Sequence, residues 1–221
     1  AMPLGATAGD LWAWMPQARV DITRMMGSTG FLVQAGILRP QFGDSRLETP
    51  PTASTSVDVG TSGLGERTSK PFYEGRVAVS PMIRGNTSTF GVSGHFGKEK
   101  VGVDRELKSW AVAFDGSAAI DPHVVLRGEL FKGSNLIPFQ GGIDQGAALV
   151  AGTPVLIQEI DARGGWGEVT ILPKADGKDA VYVGAGKDKP NVDTLLPGST
   201  RTDNSFIWVS YFRKLNDSVT L

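Results

Sequence analysis

The chain has 221 residues, with 22 Lys and Arg against 23 Asp and Glu for a formal charge of −1, and no cysteine. Dispersed, near-neutral charge excludes the basic stripe of a nucleic-acid binder, and the absence of cysteine excludes disulfide frameworks, thiolate metal sites and cysteine nucleophiles. Glycine, at 29 residues, is well above the roughly 7% of average usage and disfavours helix, where each interior Gly costs about 1 kcal/mol.

No stretch approaches the roughly 20 apolar residues of a membrane-spanning helix, and no basic-then-apolar leader opens the chain at Ala1. Neither observation bears on a transmembrane barrel, whose strands need only about 9–11 residues of alternating character.

Alternation of apolar and polar residues predicts strands throughout, because successive side chains of an extended chain point to opposite faces. In chain order these are Arg19–Met25, Phe31–Leu38, Tyr73–Ser80, Phe90–Gly97, Ser109–Asp115, Val124–Phe131, Trp166–Leu172, Ala180–Gly186 and Ser205–Arg213. In Tyr73–Ser80, Tyr73, Val77 and Val79 oppose Glu74 and Arg76. Trp110, Val112 and Phe114 likewise oppose Asp115, and Val124, Leu126 and Leu130 oppose Arg127 and Glu129. Arg24 breaks the pattern by falling on the apolar parity.

The links alternate in length. Short ones, rich in turn residues, occupy Met26–Gly30, Pro81–Ser88, Gly116–His123, Pro173–Asp179 and Lys214–Ser218. Between them run longer ones over Pro40–Pro71, Lys98–Lys108, part of Lys132–Gly165, and Lys187–Asn204. An up-and-down chain with every second link short gathers its turns at one end and its loops at the other, which is the layout of an outer-membrane barrel. Greek-key sandwiches mix lengths without this order. Phe31, Phe90, Phe114 and Tyr211 then fall near the short-turn ends, and Tyr73, Phe96 and Trp110 near the long-loop ends, as interfacial aromatic girdles require.

Catalytic patterns are incomplete. With only His95 and His123, a histidine metal site or a Ser-His-Asp triad has few members. Gly91-Val92-Ser93-Gly94-His95 lacks the last glycine of a nucleophile elbow and lies in a strand. Gly184-Ala185-Gly186-Lys187 lacks the rest of a phosphate-binding loop, and Gly164-Gly165-Trp166-Gly167 reads as close strand packing. No enzyme, metal or cofactor is therefore expected.

What remains is the polar face: Arg19, Asp21, Glu74, Arg76, His95, Asp115, Arg127, Glu129 and Glu168. In a wide barrel these line water and set which solutes pass, with Glu74, Arg76, His95, Asp115, Arg127, Glu129 and Glu168 the expected pore-lining set. The plainer reading pairs Glu74 with Arg76 and Arg127 with Glu129 as ordinary ion pairs. Mixed signs argue against strong selectivity for either ion charge. Part of the loop Pro40–Pro71, with its polar run Thr49–Ser56, or of Lys132–Gly152 is a candidate to fold inward and narrow the pore.

The segments Leu126–Leu136, Gly164–Val169 and Arg201–Phe206 resemble pieces of bacterial outer-membrane porin-like barrels in order and spacing, loosely over most of the chain from Met15. The resemblance implies a diffusion channel for small hydrophilic solutes in the bacterial outer membrane. Lipid would surround it, and a homo-oligomer is possible.

The chain stops at Leu221, where a further strand is expected to begin after the turn Asn216-Asp217, and about 9–10 strands are countable, so residues 1–221 are expected to form one incomplete barrel. The alternative is a soluble or secreted β-sandwich that binds carbohydrate through Trp12, Trp14, Trp166 or Trp208.

Overall fold

A computed structural model describes residues 11, 15–40, 47–48, 65, 68–101, 105–143, 145–150, 156–174, 178–195 and 201–215. In chain order the strands are β1 (Gln17–Met26), β2 (Thr29–Leu38), β3 (Leu47–Glu48), β4 (Phe72–Ser80), β5 (Met82–Ile83), β6 (Asn86–Thr87), β7 (Thr89–Val101), β8 (Arg105–Asp121), β9 (Val124–Ser134), β10 (Ala147–Val150), β11 (Leu156–Glu159), β12 (Asp161–Ile171), β13 (Asp179–Pro190) and β14 (Asn204–Arg213). No α-helix occurs among the described residues.

Nine of these strands form one antiparallel sheet in the order β1-β2-β4-β7-β8-β9-β12-β13-β14. The nine alternating segments read from the sequence are these nine strands. Their order is an up-and-down meander: each strand pairs with the strands before and after it along the sheet. Strands β1 and β14 each have one neighbour, so among the described residues the sheet is open rather than a closed ring. A parallel pairing of β3 with β10, itself antiparallel to β11, makes a small second sheet, and β5 with β6 a third.

Local chemistry explains the tight connections. Met26 pairs with Thr29 across a two-residue turn that Gly27 enters with φ +62, a conformation open to glycine at no steric cost. Strand β8 continues to Asp121, so the link expected over Gly116–His123 shrinks to Pro122-His123, where Asp121 Oδ1 accepts from the His123 backbone N–H at 2.7 Å. Ile83 and Asn86 close the β5–β6 hairpin around Arg84 (φ 51) and Gly85 (φ 80).

One expected long link is corrected. Instead of a loop over Lys98–Lys108, β7 and β8 keep pairing, Lys98 with Lys108 and Val101 with Arg105, leaving three residues between the strands. The extended hairpin is held by charge rather than apolar alternation: Lys98 Nζ donates to Glu106 Oε2 at 2.5 Å, and Lys70 Nζ lies 3.7 Å from Glu106 Oε1.

The register makes the two faces of the large sheet chemically different. On the outer face, Val20, Val33, Val77, Val92, Val112, Leu130, Val169, Val183 and Val209 put one exposed apolar side chain on each of the nine strands, from 38% exposed at Val169 to 69% at Val209. Leu126 on β9 is exposed as well, and among the described residues no second sheet covers this face. Tyr73, Phe96 and Trp110 are direct cross-strand neighbours in an aromatic row toward the long-link end. Arg24 does lie on this outer parity, opposite Phe31.

The buried core lies on the inner face. Leu136 and Phe139, in the segment after β9, pack there in two clusters, one with Ala111, Ala113, Phe131 and Ala162, the other with Met15, Leu38 and Phe72.

Candidate functional site

The inner face carries every charged residue singled out from the sequence as pore-lining, but the contacts among them differ from the expected ones. Arg76 does not pair with Glu74. It reaches across β7 to Asp115 on β8, Nε to Oδ1 at 3.1 Å and Nη2 to Oδ2 at 2.5 Å. Gly91 makes this possible, since a Cβ there would come within 2.5 Å of Arg76 Nη2 and 2.8 Å of Asp115 Oδ1.

Arg127 pairs not with Glu129 but with Glu168, its direct register neighbour on β12, at 3.6 Å. Neighbours two apart on one strand share a face but lie farther apart than residues directly opposite on the next strand, which favours Glu168 as the partner of Arg127, whereas Arg76 reaches past the intervening strand through the space that Gly91 leaves. Glu129 Oε1 instead accepts from the Leu11 backbone N–H at 3.3 Å. At the edge, Asp21 accepts from Arg19 (Nη2 to Oδ2, 3.1 Å) and from Gln34 Nε2 at 3.1 Å.

A strap formed by residues 135–143 and 145–148 crosses this face. Its 3-10 turn Ile137–Phe139 is buried, and the Phe139 ring sits 4.2 Å from the His95 ring, with Phe72 on another side at 5.1 Å. His95 is therefore flanked by aromatic rings and largely buried rather than lining a wide lumen. Its Nε2 meets Ser109 Oγ at 2.9 Å, while the Ser109 hydroxyl donates to the Asn135 carbonyl at 2.8 Å. With its one proton committed there, Ser109 can only accept from His95, so the pair is a structural relay in which neither group is poised to attack a substrate. Asn135 Nδ2 in turn donates to the fully buried Glu99 at 2.7 Å.

At its other end the strap is tied to β13, where the Ile143 N–H donates to Asp188 Oδ2 at 3.0 Å, and Gln145 Nε2 donates to the Arg201 carbonyl at 2.8 Å. A cavity of about 70 Å³ remains between Glu74, His95, Glu129 and Phe139.

Aromatic rings share the polar parity of the last strands, a feature the alternation pattern does not announce. Trp208 lies against Gly184, where a Cβ would be 2.1 Å from its ring, and stacks on Phe206 at 5.0 Å. Trp166 is 6.4 Å away. Trp208 Nε1 donates to Glu168 Oε2 at 3.1 Å and the Thr170 hydroxyl to Oε1 at 3.3 Å, so the buried Glu168 carboxylate is held by an indole, a hydroxyl and Arg127.

No protein-family model matches this chain, and neither a curated protein nor a solved structure matches it. The site is thus read on its own geometry. Trp12, Trp14 and the run Thr49–Ser56 lie outside the described residues, and among the described residues no group of three His, Cys, Asp or Glu side chains could hold a metal ion. Ser109, Glu99, Asn135 and Asp188 escaped sequence reasoning. The one available signal was charge or amide at inward parity just beyond the apolar stretches.

Proposed function

We propose that this chain forms wall of an outer-membrane, porin-like channel for passive diffusion of small hydrophilic solutes. The observation that carries this reading is the exposed apolar side chain on every one of nine consecutive antiparallel strands, opposite a face of ion-paired charges. Contiguous apolar surface on this scale is rare in soluble monomers. In a bilayer it costs nothing, and the backbone of a strand meander is satisfied there once its edges are closed.

The same exposure removes the core that a carbohydrate-binding sandwich would need, since Val77, Val92, Val112 and Leu126 are uncovered. The open edges of β1 and β14 are then closed by further strands or by other copies of the chain. Balanced inner charges, Arg76 with Asp115 and Arg127 with Glu168, favour weak ion selectivity, and the strap narrows the lumen from within.

Reconstitution of the purified gene product into planar bilayers tests this. Stepwise conductance with weak selectivity is expected. A protein that stays monodisperse without detergent and gives no conductance would overturn the reading.

A further inference from the structure

On the outer face, Lys132 on β9, Arg163 on β12 and Lys189 on β13 stand directly opposite one another in register. None makes an ion pair with a described residue. Like charges at opposed cross-strand positions destabilise a sheet, so a row of three is a cost that no described residue offsets with an ion pair. Asp161 lines the same recess of about 300 Å³ beside the row without reaching ion-pair distance. The next cation inward, Lys187, is already neutralised by Asp203 at 2.7 Å.

Directly below the row, toward the middle of the apolar face, the side chains disappear. Gly165, Gly167 and Ala185 floor a depression of about 1270 Å³, with Leu130 (65% exposed) and Ile207 (80% exposed) as its banks and Arg163, Lys187 and Lys189 at its end. From Arg163 to Val169 the strand runs six residues, about 20 Å at roughly 3.3 Å per residue, so the depression leads from the cationic row into the depth of the apolar band.

We infer that this is a binding site for an anionic phospholipid, its phosphate held by Lys132, Arg163 and Lys189 and an acyl chain laid in the glycine-floored groove. The site rests on the membrane reading given above, because only there does an apolar groove ending in cations meet its ligand. Charge and shape name the occupant together. Three cations, one of them a planar guanidinium fork suited to phosphate oxygens, demand an anion, and the groove demands a slender apolar chain attached to it. A protein surface would have to supply both at the rim of a bilayer.

The test uses the full gene product in neutral detergent, with phosphatidylglycerol and phosphatidylcholine of the same acyl chains as probes and native mass spectrometry as the readout. Phosphatidylglycerol is expected to bind preferentially. Combining Lys132→Gln, Arg163→Gln and Lys189→Gln should weaken that binding roughly a hundredfold, about fivefold per charge near a membrane surface.

Gly167→Leu fills the groove without disturbing the sheet, since a Cβ there meets nothing nearer than the Arg127 carbonyl at 4.0 Å. It should weaken phosphatidylglycerol binding while leaving the cationic row in place. Gly165 is unsuitable, because its Cβ would be 2.6 Å from the Glu129 carbonyl.

Equal binding of the two lipids, or displacement of phosphatidylglycerol by millimolar inorganic phosphate, would overturn the inference. So would a change of oligomeric state in the Gly167→Leu protein with lipid binding intact, which would assign the groove to a second copy. Conductance of the same preparation separates the two readings: a conducting protein that binds both lipids alike loses the lipid site and keeps the pore.

Discussion

The two faces of one sheet solve opposite problems with the same backbone. On the inner face, charged and polar groups find partners two strands away or on the strap, as Arg76 does with Asp115 and Ser109 with Asn135. On the outer face the apolar side chains stay exposed, and the cations Lys132, Arg163 and Lys189 at its border make no ion pair with a described residue. Most inner-face charges thus find partners within the chain, while His95 Nδ1, Trp166 Nε1 and Asp188 Oδ1 stay buried without one, and the outer face leaves an apolar side chain exposed on each strand. A period of two serves both, because every strand residue belongs to one face or the other.

The largest effect is expected on the inner face. Phe139→Ala should remove the strap's main anchor between His95, Phe72, Met15 and Leu38, costing about 3–5 kcal/mol as other buried Phe truncations do. Urea denaturation of the refolded protein would measure it. In the bilayer experiment the same variant should raise single-channel conductance, and an unchanged conductance would show that the strap does not narrow the path.

A smaller effect distinguishes the faces directly. Val92→Arg on the outer face should cost about 2–4 kcal/mol of folding into bilayers. Ser93→Arg, its neighbour pointing inward, should cost much less. Comparable costs for the two would remove the membrane-facing role of the outer face.

The smallest effect belongs to the charged hairpin beyond the apolar band. The hydrogen bond from Lys98 holds the Glu106 carboxyl below the usual carboxylate range, with attraction to Lys98 and Lys70 adding to it. A depressed folded-state pKa contributes stability above the ordinary carboxylate range and loses it as pH falls through the depressed value. The small stability difference between the protein and Glu106→Gln should therefore shrink on acidification below the ordinary range. A difference that grows instead would refute the pairing.

What the sequence made legible was whatever alternates between apolar and polar. The nine strands of the large sheet largely satisfy that condition, with Arg24 on the apolar parity and Trp166, Phe206 and Trp208 on the polar one as exceptions, and so does the inward placement of Glu74, Arg76, Asp115, Arg127, Glu129 and Glu168. Beyond the apolar band the condition fails. Lys98, Lys100, Glu106 and Lys108 share the outer parity with Phe96 and Trp110 but are themselves charged, so the continuing ladder looks like a loop.

Partner choice was also illegible. Arg76 reaches Asp115 only because Gly91 on the intervening strand has no side chain, a three-strand coincidence that no local spacing encodes. The enclosure of His95 depends on Phe139, 44 residues later in the chain, and the Trp208–Glu168 bond on two strands separated by β13.

The strap has a mechanical meaning as well. Hydrogen-bond ladders join each strand only to its neighbours, so a pull on one edge can be relieved by unzipping one strand at a time. The strap is fastened near β7 and β8 through Asn135 and to β13 through Ile143, and it passes that load across the intervening strands. Force applied at β13 is thereby shared with the middle of the sheet, and the segment between the two fastenings should yield as a block rather than peel.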